Sequence, residues 1–153
     1  MVAGVNGHVY CLDNCFKWEG GHYQVYANTP LEKFVTEIEG NTHHPAFIEK
    51  VFTKLNGQVD FMFIDGDHSY EGVKQDFWNY LPLLKEGGYV AFHDIVDSEH
   101  HRSKGCFVAP FWQEVKYLFG PDNYWEFIDN NEYGVERPHS MGIGVLRKAK
   151  RHL

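Results

Sequence analysis

Val59-Asp60-Phe61-Met62-Phe63-Ile64-Asp65-Gly66-Asp67-His68-Ser69-Tyr70, continued as far as His93-Asp94-Ile95, is the stretch that decides the fold of this 153-residue chain. Its first six residues are apolar apart from Asp60 and bounded by polar ones, the pattern of a short strand buried on both faces of a parallel sheet. The strand stops at Asp65-Gly66-Asp67-His68. Open α/β sheets place their ligands at such carboxyl ends. From Tyr70 to Leu84 the apolar residues Val73, Phe77, Tyr80, Leu81 and Leu84 recur at threes and fours. This predicts a helix, weakened in its last turn by Pro82 and capped by Gly87-Gly88. Tyr89-Val90-Ala91-Phe92 then reads as a second buried strand, and it too ends in ionisable residues, His93-Asp94. Strand, helix and parallel strand make a right-handed crossover that brings both strand ends to one edge. Asp65, Asp67, His68, His93 and Asp94 are therefore expected in one crevice.

Working outward, Gly7 to Asp13 resembles another short strand ending in an acid. In nucleotide-binding sheets an acid there accepts hydrogen bonds from ribose hydroxyls. A turn or helix-cap aspartate is the equal alternative. Asn14 to Tyr26 has poor periodicity and reads as a loop or a loop with one helical turn, and Asn28-Thr29-Pro30 can start a turn or a short helix. Phe34 to Ile38 is a strand candidate, and Pro45 to Leu55 an amphipathic helix ended by Asn56-Gly57. Downstream, Ile95 to Ala109 is polar and aperiodic, a candidate lid or substrate loop. Pro110 to Phe119 reads as a helix, and Tyr124–Ile128 with Gly142–Leu146 as an antiparallel strand pair. The alternation predicts one α/β domain with a mostly parallel sheet covered by helices.

Composition narrows the partners. A chain that is 43% hydrophobic and 16% aromatic is not a disordered one. Its formal net charge of −7 gives no help in binding nucleic acid or an anionic membrane, and neither partner is expected. The basic tail Arg147, Lys148, Lys150, Arg151 and His152 reads as a solvated, frayed end. No apolar run reaches the ~20 residues of a membrane span, so a soluble, cytoplasmic protein is expected. Cys11, Cys15 and Cys106 lack a repeated metal-ligand spacing and read as free thiols.

The clustered acids and imidazoles suggest chemistry. Asp65, His93 and Asp94 are the trio best placed to hold a divalent cation. Oxygen ligands suit magnesium, calcium or manganese, and an imidazole moves the preference toward manganese or later metals. Helix caps and solvated loop charges are the alternative. His68 can take a proton from a substrate hydroxyl near neutral pH, or can cap the helix beginning near Ser69; both readings stand. The adjacent pairs His43-His44 and His100-His101 are poor candidates for a shared zinc ion, because neighbours point in different directions.

Phe63-Ile64-Asp65-Gly66-Asp67-His68-Ser69-Tyr70, the following helix, Leu83-Leu84-Lys85-Glu86-Gly87-Gly88 and a strand ending His93-Asp94 resemble the class I S-adenosylmethionine-dependent methyltransferases. Within them the pattern is similar to the small-molecule O-methyltransferases grouped with cephalosporin hydroxylase-like and macrolide-sugar enzymes. The similarity runs from about Val9 to Leu146. It implies an α/β, Rossmann-like methyltransferase fold whose mostly parallel sheet ends in an antiparallel pair, with S-adenosylmethionine as cofactor. It implies Asp65 as the first metal ligand and His93-Asp94 in the place of the second. Histidine is a departure there, and leaves magnesium or manganese open. The Asp65-x-x-His68 spacing is similar to the ligand and general base of the sugar methyltransferases. Asp13 matches the acid on the cofactor ribose, Asn41-Thr42 match the residues approaching the adenine, and Asp67 is a further cofactor-side candidate.

The front of the chain departs from that family. Its first strand and glycine-rich loop should precede the Asp13 strand, and Met1 to Gly7 is too short to supply strand, loop and helix. The expectation is a domain lacking its first βα unit, with exposed apolar edges that favour a homo-oligomer. Two functions follow. One is methyl transfer to a hydroxyl of a small molecule, sugars among the candidates; the other is a catalytically silent, self-associating domain. A nicotinamide oxidoreductase fits poorly, since no Gly-x-Gly-x-x-Gly turn is present.

Overall fold

The computed structural model describes residues 7–15, 26–128, 131–132, 135–136 and 141–149. The chain divides into two compact units, Met1–Lys54 and Leu55–Leu153. In the first, strand β1 (Val9–Asp13) pairs in parallel with β2 (Val35–Glu39), Val9 opposite Val35 and Asp13 opposite Glu39. A turn and a 3-10 segment, Glu32–Phe34, lead into β2. Helix α1 (Pro45–Leu55) follows, as its periodicity predicts, and buries Phe47 and Val51. Proline suits its first position, where the missing N–H has no helical partner to lose. Asn56 ends it in the left-handed region at φ 43°.

The second unit is a four-stranded sheet in the order β3-β4-β8-β5. Strand β3 (Val59–Ile64) lies parallel to β4 (Leu84–His93), with helix α2 (Tyr70–Tyr80) between them in sequence. Helices α3 (Glu99–Ser103) and α4 (Val108–Phe119) follow, then β5 (Tyr124–Phe127). A two-residue pair comes next, β6 (Asn131–Glu132) with β7 (Val135–Glu136), before β8 (Ile143–Arg147). Strand β8 runs antiparallel to both β4 and β5, the expected final pair. The core gathers Val73 and Phe77 of α2 and Phe111, Trp112 and Val115 of α4 against Ile64, Val90, Phe92 and Leu146 of the sheet. Trp112 can lie flat on β8 because residue 144 is glycine: a Cβ there would stand 2.7 Å from the indole.

Three expectations need correction. Strand β3 is not buried on both faces: Ile64 is buried, but Phe61 and Phe63 are 49% and 50% exposed. Helices α2 and α4 pack on the face that carries Ile64, so β3 reads like a half-covered strand despite its apolar composition. Second, Gly87-Gly88 does not cap a helix. Helix α2 ends at Tyr80, Leu81–Leu83 forms a 3-10 turn around Pro82, and both glycines lie inside β4. Gly87, at φ 78°, accompanies a register shift between Val59 and Phe61. Third, Ile95–Ala109 is not aperiodic throughout, since Ser98 caps α3 by accepting the His101 N–H at 3.2 Å. Most of the Asn14–Tyr26 loop (residues 16–25) and the end of the basic tail (150–153) lie outside the described residues. None of the three cysteines is in a disulfide. Among the described residues no helix is long and apolar enough to cross a membrane.

Candidate active site

The parallel register sets Ile64 opposite Phe92, so the residues that follow each strand emerge side by side. Asp65 Oδ1 lies 2.9 Å from His93 Nδ1 and 3.0 Å from His68 Nε2. His68 Nδ1 lies 2.8 Å from Asp94 Oδ2, and His93 Nδ1 3.4 Å from Asp94 Oδ1. The structure thus brings Asp65, His68, His93 and Asp94 together at the ends of β3 and β4.

Local chemistry explains how each side chain gets there. Ser69, not His68, caps α2: its Oγ accepts the Gly72 N–H at 3.0 Å. That frees the imidazole from the capping role left open above. The His68 carbonyl accepts the Phe107 N–H at 2.7 Å, which ties the segment before α4 to the site. Asp94 is 7% exposed and adopts φ 61°, a left-handed conformation that aspartate tolerates at modest cost. Its backbone N–H donates to the Gly142 carbonyl at 3.1 Å, outside any regular ladder. A buried carboxylate on strained backbone at a strand end is a common functional feature.

The electrostatics of His68 are unusual. A neutral imidazole carries one N–H, yet each of its ring nitrogens faces a carboxylate. One of the two contacts sets a lone pair against an anion unless the ring is doubly protonated or a cation lies between. His93 Nδ1 poses the same question. It is close to both carboxylates in distance but out of line for a hydrogen bond, and it and Asp94 Oδ1 are buried without a hydrogen-bond partner. Converging donors with unsatisfied atoms fit a bound cation better than a closed hydrogen-bond network. Among the described residues, ligand atoms within 4.8 Å of one another come in two sets: Asp65, His68 and His93, and His68, Asp94 and Cys106. The expected trio of Asp65, His93 and Asp94 is divided between them.

Two residues missed in the sequence stand behind Asp94. His101, 5% exposed, brings Nε2 to 3.7 Å from Asp94 Oδ1, and its Nδ1 lies 2.6 Å from Ser98 Oγ. The Cys106 thiol reaches Asp94 Oδ2 at 3.8 Å. Burial pushes the Cys106 thiol up, and the neighbouring Asp94 carboxylate adds to this, so the sulfur keeps its proton at neutral pH. The Ser98-x-x-His101 spacing was the available signal, a cap followed by an imidazole on the first turn.

The proposed cofactor residues are less concentrated. Asp13, at the end of β1, accepts the Cys15 N–H at 2.9 Å and so closes a turn. Asn41 likewise accepts the His43 N–H at 2.8 Å, with Thr42 beside it. These three belong to the first unit. Asp67, in the second, accepts the Ser69 N–H at 2.9 Å through its Oδ1, at the start of α2. It packs so closely on Gly72 that a Cβ there would meet it at 2.2 Å.

Comparison with known proteins gives a consistent picture. The family described as "Methyltransferase domain" matches residues 1–95. Protein y4gI of Sinorhizobium fredii is 26% identical over 135 residues, spanning 84% of this chain and 13% of that protein. A protein of Acanthamoeba polyphaga mimivirus is 38% identical over 63 residues, 41% of this chain and 28% of its own. The chain thus spans a small part of the curated relatives it matches. Among solved structures, the O-methyltransferase TomG of Streptomyces achromogenes, in complex with S-adenosylmethionine, superposes with a TM-score of 0.66 at 13% identity. That match covers 96% of this chain and 64% of TomG. A candidate caffeoyl-CoA O-methyltransferase from Staphylococcus aureus gives 0.59 at 22% identity, over 93% of this chain and 65% of that one. The mycinamycin-pathway methyltransferase MycE, in complex with magnesium, S-adenosylhomocysteine and mycinamycin VI, gives 0.55 at 16% identity, over 95% and 38%.

Proposed function

The chain belongs to the methyltransferase domain family, and from that premise we propose that it transfers a methyl group from S-adenosylmethionine to a hydroxyl of a small molecule. The observation that carries the reading is the crevice at the ends of β3 and β4, where Asp65, His68, His93 and Asp94 converge. Methyl transfer to an alcohol needs the hydroxyl aligned with the sulfonium methyl and relieved of its proton; carboxylates and imidazoles at one strand edge can do both. TomG and MycE, both methyltransferases of the same fold, lend weight to the cofactor. Asp13, Asn41, Thr42 and Asp67 are its proposed contacts.

The donor set fits a divalent cation, because His93 Nδ1 and Asp94 Oδ1 are buried and unsatisfied. Asp65 and His93 would hold it, with His68 Nε2 converging on the same point and Asp94 close behind. A cation bound there would orient a neighbouring hydroxyl and lower its pKa. Asp94 Oδ2, 2.8 Å from His68 Nδ1, backs the imidazole on one side, with Nε2 on the Asp65 side. A second reading is favoured by that 2.8 Å contact: in a cation-free site, carboxylate-backed His68 takes the proton itself.

A turnover assay separates these readings. With S-adenosylmethionine and a panel of sugars and other hydroxylated small molecules, S-adenosylhomocysteine release is expected, and a chelator is expected to suppress it at least about 10²-fold. Turnover that survives chelation transfers the role to His68 as base. A catalytically silent, self-associating domain is the rival from another class. Phe61, Phe63, Tyr89, Trp125 and Phe127, all exposed, favour it as an apolar surface. No release with any acceptor, from a folded chain that binds no cofactor, would favour that rival.

A further inference from the structure

From the donor set we infer that the crevice binds a first-row transition-metal dication of the iron-to-zinc range in preference to magnesium, through Asp65 Oδ1, His68 Nε2 and His93 Nδ1. The inference rests on the cation-assisted reading of the site, and does not depend on methyl transfer. Asp65 Oδ1 stands 3.0 Å from His68 Nε2 and 2.9 Å from His93 Nδ1. Two donors at right angles around an ion, each about 2.1 Å from it, are about 3.0 Å apart. That spacing alone would suit magnesium as well. Ligand chemistry decides: magnesium takes oxygen ligands and keeps its waters, whereas two imidazoles and one carboxylate are the set of zinc and non-haem iron(II) sites.

The surroundings match such a site. A ligating histidine usually donates its other N–H to a carboxylate, which fixes the tautomer and the ring orientation. Buried Asp94 stands in the place for that role, its Oδ2 2.8 Å from His68 Nδ1. The Cys106 thiol at 3.8 Å and His101 Nε2 at 3.7 Å in turn flank Asp94. Asp94 is thus a positioning residue in this arrangement, and His68 a ligand. The other convergent set, His68, Asp94 and Cys106, is already engaged in those internal contacts and lies deeper. Asp65 is on the exposed side, which leaves open positions facing solvent.

The test uses the full 153-residue chain, stripped of metal and titrated calorimetrically with zinc, cobalt(II) and magnesium, with the cobalt form followed by visible absorption. One equivalent of zinc or cobalt is expected to bind at least about 10²-fold more tightly than magnesium. His93→Gln is expected to abolish binding, and Asp94→Asn to weaken it about 10–100-fold. Magnesium binding as tightly as zinc would overturn the inference, and that comparison needs no variant to fold. A sulfur-to-cobalt charge-transfer band lost in Cys106→Ser would also overturn it, by moving the ion to the deeper set. Zinc bound as expected by a chain that binds no S-adenosylmethionine would sink methyl transfer and leave the metal site standing. Cofactor binding without preference for zinc would do the reverse.

Discussion

Asp65→Asn combined with His68→Ala is expected to lower kcat/KM for methyl transfer by about 10³–10⁴-fold, near the upper range for removing a positioned proton-transfer group. Asp65 Oδ1 is the hub of the crevice, within 3.0 Å of both imidazoles, and His68 links it to buried Asp94. The double change therefore removes the cation's carboxylate and an imidazole together. It also removes the base of the cation-free reading, so the expected loss does not depend on which reading is correct. Asp65 is exposed and His68 half-buried, and neither belongs to the hydrophobic core, so the fold should survive. Initial rates of S-adenosylhomocysteine release, alongside a circular dichroism spectrum, check this. Full turnover by the folded double variant would remove the crevice from the chemistry.

The largest stability effect is expected at Trp112. Its side chain is fully buried, and its ring packs 5.4 Å from Phe92 and edge-on to Tyr124 at 5.9 Å, centroid to centroid. Its Nε1–H donates to Glu126 Oε1 at 2.6 Å, which joins α4 to β5. Trp112→Ala removes this ring from the sheet face, opens a cavity over Gly144 and deletes the hydrogen bond. Substitutions of this kind cost about 3–5 kcal/mol, a large part of the stability of a small domain. Urea denaturation should show the midpoint falling with little change in slope. A loss under about 1 kcal/mol would mean that α4 does not hold the sheet as described.

What the sequence revealed followed from periodicity and from turn chemistry. Helix α1 occupies Pro45–Leu55, as Phe47, Ile48, Val51, Phe52 and Leu55 predict, because that spacing specifies one helical face. The crevice was legible for a topological reason: two acid-ended strands joined by a helix must bring those ends together. Other features depended on tertiary packing. Phe61 and Phe63 are apolar in any reading, and composition does not say which face of a strand a helix will cover. Gly87-Gly88 looked like a helix stop because a glycine pair serves equally at a cap or at a strand irregularity. Pro82 had already ended the helix. His101 and Cys106 were unremarkable in a polar stretch, and only the fold of α3 against Asp94 makes them part of the site.

Division of labour around Asp94 was the other point out of reach. Adjacent residues His93 and Asp94 looked like two ligands to one ion. The left-handed φ of Asp94 instead turns its Oδ2 toward His68 Nδ1, and leaves His93 with Asp65 and His68. A one-dimensional spacing cannot encode that turn.

Isothermal titration of the 153-residue chain with S-adenosylmethionine and S-adenosylhomocysteine, with and without zinc or magnesium, tests the central claim most directly. The account predicts a micromolar Kd, about −8 kcal/mol of binding free energy, weakened by Asp13→Ala. A folded chain that gives no heat with either ligand in any metal condition would contradict it.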